Sequence, residues 1–216
     1  MKSILVIGMG NFGKFLATKL LELKNDVMII DKNAQIIEEL APIFTNAHIG
    51  DCTKEEVLAS IGIDSFDICV VAIDENFQSS LEITSLLKEM GAKWVVSKSS
   101  RDRQAKFLTN IGADEVIYPE KDVAERLAVR LGASKIFDCI PLTHEYSIFE
   151  ITVMDDWVGR SIESLNIRKR YNINILAIKK FKTILPSPMP NYTFLSTDHI
   201  IIMGHQNDVI KLANKM

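Results

Sequence analysis

Three glycines near the start of the chain have the spacing that brings a protein backbone close to phosphate groups. In the segment ILVIGMGNFG, an apolar run leads into Gly8, Gly10 and Gly13. Between a strand and a helix, Gly8 would allow a tight turn, Gly10 would let the backbone approach a diphosphate, and Gly13 would let the helix pack close to the sheet. The helix N-terminus would offer free N–H groups to phosphate oxygens. The spacing predicts a nucleotide site; the alternative is that the glycines serve close packing alone.

Acidic residues follow the next two predicted strands, at the sheet edge where a nucleotide would lie. Asp31 comes 18 residues after Gly13, where a carboxylate can bind both ribose hydroxyls. Asp51 follows the third strand and could accept a hydrogen bond from an adenine amino group. The alternative for Asp31 is a helix cap, although Asn33 is the better cap. The alternative for Asp51, or for Thr53, is to cap the helix that follows.

Other residues are expected near the nucleotide because ligands of open α/β sheets lie across the carboxyl ends of the strands. Lys98, at the end of the fifth strand, could meet a phosphate or could be an exposed, solvated lysine. The remaining candidates flank the glycines and the strand ends: Asn11, Phe12, Lys32, Cys52, Ala72, Ile73 and Asp74.

Alternating strands and helices would position these residues. Strands are predicted at 4–7, 27–30, 45–49, 68–73, 94–97 and 115–118. Helices are predicted at 12–23, 35–40, 54–61, 77–90, 102–111 and 121–131. This alternation predicts an α/β fold over residues 1–132, a Rossmann-like, doubly wound parallel sheet. The segment 68–73 is apolar on both faces, as a central parallel strand should be.

The pattern changes after residue 132. We expect a crossover linker at 133–147 and a small α+β domain at 148–216. This domain has strands predicted at 148–153, 173–180 and 199–204, and helices at 161–166 and 206–215. Three alternating prolines predict a loop at 186–190.

The composition limits the possible partners and compartments. The chain has 216 residues, 47% of them hydrophobic, a net charge of −3 and three cysteines without a C-x-x-C spacing. The acidic balance argues against nucleic acid as a partner, since phosphate backbones require a basic face. The cysteines indicate neither a disulfide framework nor a zinc site, and no apolar run is as long as a membrane span. A cytoplasmic protein is the simplest prediction.

The nucleotide could be a substrate or a signal. An NAD-dependent oxidoreductase would need a proton relay placed over the nicotinamide. The four histidines are His48, His144, His199 and His205. His48 and His199 sit at the edges of predicted strands, and no residue near them in the sequence suggests a catalytic dyad. No enzymatic activity is therefore predicted, and an oxidoreductase remains the alternative.

Longer segments carry a more specific signal. ILVIGMGNFGKFLA, HIGDCTKEEVLASIGI, IGADEVIYPEKDVAERLA and DHIIIMGHQNDV together resemble the RCK (KTN) domain regulators of bacterial potassium uptake, the Ktr/Trk family, over nearly the whole chain. The resemblance implies a regulatory subunit in which ATP/ADP or NAD(H) acts as a gating signal. It also implies homodimers that assemble into an octameric ring on the cytoplasmic face of an integral membrane potassium-conducting subunit of the KtrB/TrkH type.

The family's functional positions carry over residue by residue. The nucleotide contacts match Gly8, Gly10, Gly13, Asp31 and Asp51. Glu120 matches an acid near the phosphates that takes part in binding a divalent cation; from the sequence alone it is a first-turn glutamate favoured by the helix dipole. Asn11 stands where relatives commonly have an arginine that reaches the terminal phosphates. An amide does not neutralise a γ-phosphate, so weak discrimination between ATP and ADP is expected.

A second ligand is implied for the C-terminal domain. Arg168, Asn174, Ile175 and Pro188 match the region where relatives bind cyclic di-AMP. Arginine can pair with a phosphate, the amide with a base or phosphate, and the apolar pair with adenine. In the alternative interpretation, Ile175 belongs to the core and Arg168 is a solvated helix end.

Apolar residues near the domain junction predict self-association. The helix at 121–131 carries a stripe at helical spacing: Val123, Ala124, Leu127, Ala128 and Leu131. Ile136, Phe137 and Ile140 follow closely, and one small domain is not expected to bury both sets. We predict that a helix–turn–helix in this region packs against a second chain, which would make the protein at least a dimer.

Overall fold

The computed structural model describes residues 1–73 and 76–214, in two compact units, Met1–Lys121 and Asp122–Met216. Asp74, one of the predicted nucleotide contacts, and Lys215, in the predicted closing helix, lie outside the described residues. The boundary between the units falls inside a helix.

The first unit contains a parallel sheet of six strands with the order β3-β2-β1-β4-β5-β6. Its strands are β1 (Ser3–Ile7), β2 (Asp26–Asp31), β3 (Asn46–Ile49), β4 (Ile68–Val71), β5 (Val95–Lys98) and β6 (Glu115–Ile117). Its helices are α1 (Asn11–Glu22), α2 (Ala34–Leu40), α3 (Glu55–Ile61), α4 (Phe77–Glu89) and α5 (Asp102–Asn110), followed by α6 (Pro119–Gly132). This arrangement confirms the Rossmann-like fold. The strand order reverses between β1 and β4, which is where such sheets bind ligands.

Helices cover both faces of this sheet. Leu5 and Ile7 of β1 pack in one apolar cluster, whereas Ile4 and Val6 pack in another on the opposite face. Strand β4 is divided in the same way, which explains why its sequence is apolar at every position.

The second unit contains an antiparallel sheet of five strands with the order β10-β9-β11-β8-β7. Its strands are β7 (Ile136–Pro141), β8 (Tyr146–Thr152), β9 (Ile173–Lys180), β10 (Thr183–Pro186) and β11 (His199–His205). Three short helices accompany them: α7 (Ile162–Leu165), α8 (Ile167–Tyr171) and α9 (Gln206–Ala213). The inner faces of β8 and β11 pack around Trp157 and Phe194. A small α+β domain is thus confirmed.

The prediction of a helix–turn–helix near the domain junction is wrong, because the segment after α6 is a strand and not a second helix. Residues 136–141 form β7, which pairs antiparallel with β8. Of the three apolar residues predicted to face a partner chain, Ile136 is buried in the core of its own unit, whereas Phe137 and Ile140 are 46% and 49% exposed. The pairing register shifts at Phe137, and this irregularity hides the alternation that marks a strand.

Helix α6 leaves its apolar stripe exposed. None of its residues is buried, and Val123, Leu127 and Leu131 all have large exposed fractions. Over residues 1–73 and 76–214, no helix combines the length and apolar character needed to cross a membrane.

Candidate functional site

The turn after β1 has the geometry that its glycines predict. Gly8 has a φ of +94°, and its N–H donates a hydrogen bond to the Ile30 carbonyl oxygen at 2.9 Å. A Cβ added to Gly13 would lie 2.0 Å from the Gly8 carbonyl oxygen, so a side chain there would force α1 away from the turn. Gly10 is the N-cap of α1 and has no side chain to occupy the first N–H groups of the helix.

Asp31 lies at the end of β2 and reaches the glycine turn. Its Oδ2 accepts a hydrogen bond from the Met9 N–H at 2.6 Å, and its Oδ1 accepts one from the Asn33 N–H at 2.8 Å. Asn33 caps α2 by accepting from the Gln35 N–H, which confirms that it is the better cap. Each carboxylate oxygen has a second lone pair, so Asp31 retains the capacity to bind ribose hydroxyls.

Asp51 follows β3 on the same side of the cleft. Its Oδ1 accepts hydrogen bonds from the Thr53 hydroxyl at 2.8 Å and the Thr53 N–H at 3.1 Å, and these bonds lower the pKa of Asp51. Neither Asp51 nor Thr53 caps α3, because Lys54 is its N-cap and no side chain caps that helix. Burial raises the pKa of the neighbouring Cys52 to about 12, so its thiol is uncharged at neutral pH.

These residues surround a cavity of about 670 Å³ at the carboxyl ends of the strands. The predicted residues that line it are Gly8, Gly10, Asp31, Lys32, Asp51, Cys52, Ala72 and Ile73. Sequence reasoning missed the wall supplied by α4 and the turn before it, with Asn76, Gln78, Ser79 and Glu82. The signal available was position, since α4 follows the central strand β4. Asn11 lies instead in a shallow groove along α1, with Lys14, Phe15 and Thr18.

Lys98 is buried, so the exposed, solvated alternative was wrong. Only 6% of the residue is exposed, and its Nζ lies 2.6 Å from Oε1 of Glu120. It also lies 5.6 Å from the centre of the Phe12 ring. The hydrogen bond from Lys98 lowers the pKa of the Glu120 carboxyl, which is itself largely exposed.

Lys98 lines a second cavity of about 220 Å³, which shares Ile73 with the first. Ser80, Ser99 and Arg101 also line this cavity, so its wall is polar and carries positive charge. In the part of the chain that the structure describes, no group of three or more His, Cys, Asp or Glu residues could hold a metal ion.

A separate groove of about 410 Å³ lies in the second unit. It brings together all four residues that the resemblance implies: Arg168, Asn174, Ile175 and Pro188. The remaining residues of its wall are Ile162, Glu163, Asn166, Ile167, Ile173 and Pro190. Ile175 both lines the groove and packs against the core, whereas Arg168 is exposed at the start of α8.

Comparison with known proteins places both units in one family. Residues 4–119 match the TrkA-N domain and residues 146–216 match the TrkA-C domain. The chain belongs to the TrkA family. It is 35% identical over 215 residues to Ktr system potassium uptake protein C of Bacillus subtilis (strain 168), covering 100% of this chain and 97% of the relative. It is 36% identical over 214 residues to protein A of the same system and organism, covering 99% and 96%.

Solved structures agree on the fold of this TrkA-family chain. The GsuK channel bound to NAD superimposes with a TM-score of 0.68 at 15% identity, covering 96% of this chain and 38% of the channel chain. GsuK bound to ADP gives a TM-score of 0.51 at 21% identity, covering 60% and 34%. This chain therefore corresponds to little more than a third of the channel's length. The large cavity lies within the TrkA-N match and the groove within the TrkA-C match.

Proposed function

We propose that this chain is a regulatory subunit of a potassium uptake system and that an adenine nucleotide in the first cavity is its signal. The observation that carries the proposal is the similarity to Ktr proteins A and C over essentially their whole lengths. The partner would be an integral membrane potassium-conducting subunit, with this chain bound to it on the cytoplasmic side. Gating requires only that the nucleotide bind one state of the assembly better than the other.

The charges around the cavity support a nucleotide that carries a diphosphate. Asp31 and Asp51 offer carboxylates to the ribose and the adenine amino group, and the turn at Gly8–Gly10 leaves room for phosphates. Lys98 provides a buried positive charge in the adjoining cavity. ATP/ADP and NAD(H) both fit this distribution, and NAD and ADP are bound in the GsuK structures. A divalent cation held by the phosphates and Glu120 is the proposed accessory ion.

An oxidoreductase receives no support from the site. Such an enzyme needs a histidine or lysine facing the nicotinamide, and the four histidines are not among the described residues that line the cavity. Lys32 lines it, but it directly follows Asp31, at the proposed ribose end of the nucleotide. Lys98, in the adjoining cavity, is engaged by Glu120. We therefore propose a binding and signalling role rather than catalysis.

Cyclic di-AMP is the proposed ligand of the groove in the second unit. The Arg168 guanidinium suits a phosphate, the Asn174 amide suits a base edge, and Ile175 and Pro188 offer apolar surface to adenine. In a homodimer, two such grooves would be related by a two-fold axis, which suits a ligand of the same symmetry. Assembly of the dimers into an octameric ring belongs to the same proposal.

The direct test combines ligand identification with complementation. Mass spectrometry of the purified chain should find a copurifying adenine nucleotide, and expression in a bacterium lacking its own Ktr regulatory subunits should restore growth at limiting potassium. Calorimetry with cyclic di-AMP should show binding that Arg168→Ala abolishes and that Arg170→Ala, a matched change on the same helix, preserves. Failure of both complementation and nucleotide binding would contradict the proposal.

A further inference from the structure

One wall of the groove in the second unit is neither helix nor sheet. Residues 187–195, here called the strap, form most of the connection from β10 to β11 and carry Pro188 and Pro190, which line the groove. Backbone hydrogen bonds fasten the strap: the N–H of Glu163 donates to the Pro190 carbonyl at 2.9 Å, and that of Ile162 donates to the Tyr192 carbonyl at 3.1 Å. The shape of the groove therefore depends on where the strap lies.

Asp198 lies behind the strap at the end of the connection. The residue is fully buried, and its Oδ2 accepts hydrogen bonds from the Tyr192 hydroxyl at 2.6 Å and the Leu195 N–H at 2.9 Å. Its Oδ1 is buried and has no hydrogen-bond partner among the described residues. Burying a carboxylate is unfavourable unless donors compensate it. Both donors come from the strap, so this compensation exists only while the strap is docked.

Tyr192 connects this carboxylate to the groove wall. Its ring meets that of Phe194 edge-on, with centroids 5.9 Å apart, and the Lys180 Nζ lies 5.0 Å from the ring centre. Burial and the hydrogen bond to Asp198 raise the pKa of Tyr192, so the hydroxyl remains a proton donor at neutral pH. The backbone of the same residue accepts from Ile162, a groove residue. Tyr192 thus joins the buried Asp198 carboxyl group to the wall of the groove.

We propose that Asp198 and Tyr192 are positioning residues for the ligand of this groove. They touch no ligand themselves; they hold the strap where Pro188 and Pro190 face Arg168 and Asn174. The inference is tested by two measurements. The first, ligand affinity, rests on the proposed binding of cyclic di-AMP; the second, amide hydrogen exchange, depends on the strap alone.

The experiment compares Tyr192→Phe with Tyr146→Phe in the full chain. Tyr146 lies on β8, outside the strap, so it controls for loss of a tyrosine hydroxyl. Cyclic di-AMP affinity is measured by calorimetry well below the unfolding temperature, and amide hydrogen exchange is followed at Glu163, Tyr192 and Phe194. Tyr192→Phe should weaken binding about tenfold and speed exchange at those amides, because the hydrogen bond from Tyr192 to Asp198 is lost. Asp198→Asn, which keeps an acceptor oxygen, should retain affinity within about threefold, and ATP binding should not change in any variant.

Each result decides a different point. Unchanged cyclic di-AMP affinity in Tyr192→Phe would overturn the positioning role. If the wild type does not bind cyclic di-AMP, the proposed ligand fails, and the exchange rates then decide: faster exchange in Tyr192→Phe alone supports the role, and equal rates overturn it.

Discussion

The carboxylate of Asp31 and the backbone N–H of Met9 are joined by a hydrogen bond of 2.6 Å. It ties the end of β2 to the middle of the glycine turn after β1. The residue expected to bind ribose therefore also fixes the loop expected to bind phosphate. The proposed ribose and phosphate ends of the cavity are therefore linked through a single side chain.

Asp31→Ala should weaken the binding of every adenine nucleotide. It removes a ribose acceptor common to all of them and frees the Met9 N–H, so we expect a loss of about 1–3 kcal/mol for ATP, ADP and NADH alike. Calorimetry with the three ligands measures this. Asp26→Ala, at the opposite end of the same strand, is the control. If affinity for all three ligands stays the same, Asp31 serves only to hold the turn.

Asn11→Arg should raise the affinity for ATP selectively. Asn11 is exposed at the first position of α1. A guanidinium there would supply a positive charge to pair with the negatively charged terminal phosphate. The wild type should separate ATP from ADP by less than about tenfold, or roughly 1.4 kcal/mol. Thr18→Arg, the control, adds the same charge seven residues further along the helix and should leave the ratio of ATP affinity to ADP affinity unchanged. A wild type that already prefers ATP more strongly would contradict this prediction and would point to Lys98 instead.

The contact between Lys98 and Glu120 should be visible in a titration. The pKa of Glu120 is lowered below its ordinary 4.5, chiefly by the hydrogen bond from Lys98. The pair therefore stabilises the fold above pH 4.5, and this stabilisation is lost as the pH falls through the lowered pKa. NMR of the glutamate carboxyl carbons should show the pKa of Glu120 rising in Lys98→Met. Lys121→Met is the control: it removes the neighbouring lysine, which contacts Asp102, and should leave the pKa of Glu120 lowered. Equal values in the wild type and Lys98→Met would refute the ion pair.

The exposed stripe on α6 should make the chain at least a dimer. Val123, Leu127 and Leu131 are spaced by four residues and share one face, where their exposure in a single chain is unfavourable. Light scattering should give at least twice the mass of one chain for the wild type and a monomer for Leu127→Asp. Glu125→Lys, on the opposite face of the helix, should remain associated. Phe137 is a poorer probe, because its ring packs 4.3 Å from that of His199 within its own sheet. A monomeric wild type would contradict the prediction.

The fold of the first unit could be predicted almost completely from the sequence. Its strands are short apolar runs bounded by glycines and helix caps, and each predicted strand overlaps an observed one. Asn33, for example, marks the start of α2 by its side chain alone. The fold of the second unit was harder to predict from the sequence. Strand β10 is an exposed edge strand ending at Pro186, and none of its four residues is buried. An edge strand of that kind leaves no apolar pattern to detect.

The sites were predictable as residue types but not as geometry. The spacing of the glycines and aspartates predicted residues that line the large cavity, because the backbone requirements of the turn are local. The burial of Lys98 was not predictable, since it depends on Glu120, 22 residues away in the sequence, and on Phe12 in another element. The wall from Gln78 to Glu82 was missed because exposed polar residues on a helix carry no signal of what they face.

The position of β11 has a consequence for protein synthesis. This strand follows every other strand of its sheet in the chain, yet it lies between β8 and β9 and pairs with both. The first unit has all its strands once residue 117 has been translated, so it can fold as the ribosome continues. The second sheet stays divided until residues 199–205 have left the exit tunnel. A nascent or prematurely terminated chain would thus contain the completed sheet of the first unit together with two open strand edges, on β8 and β9, a form prone to aggregation.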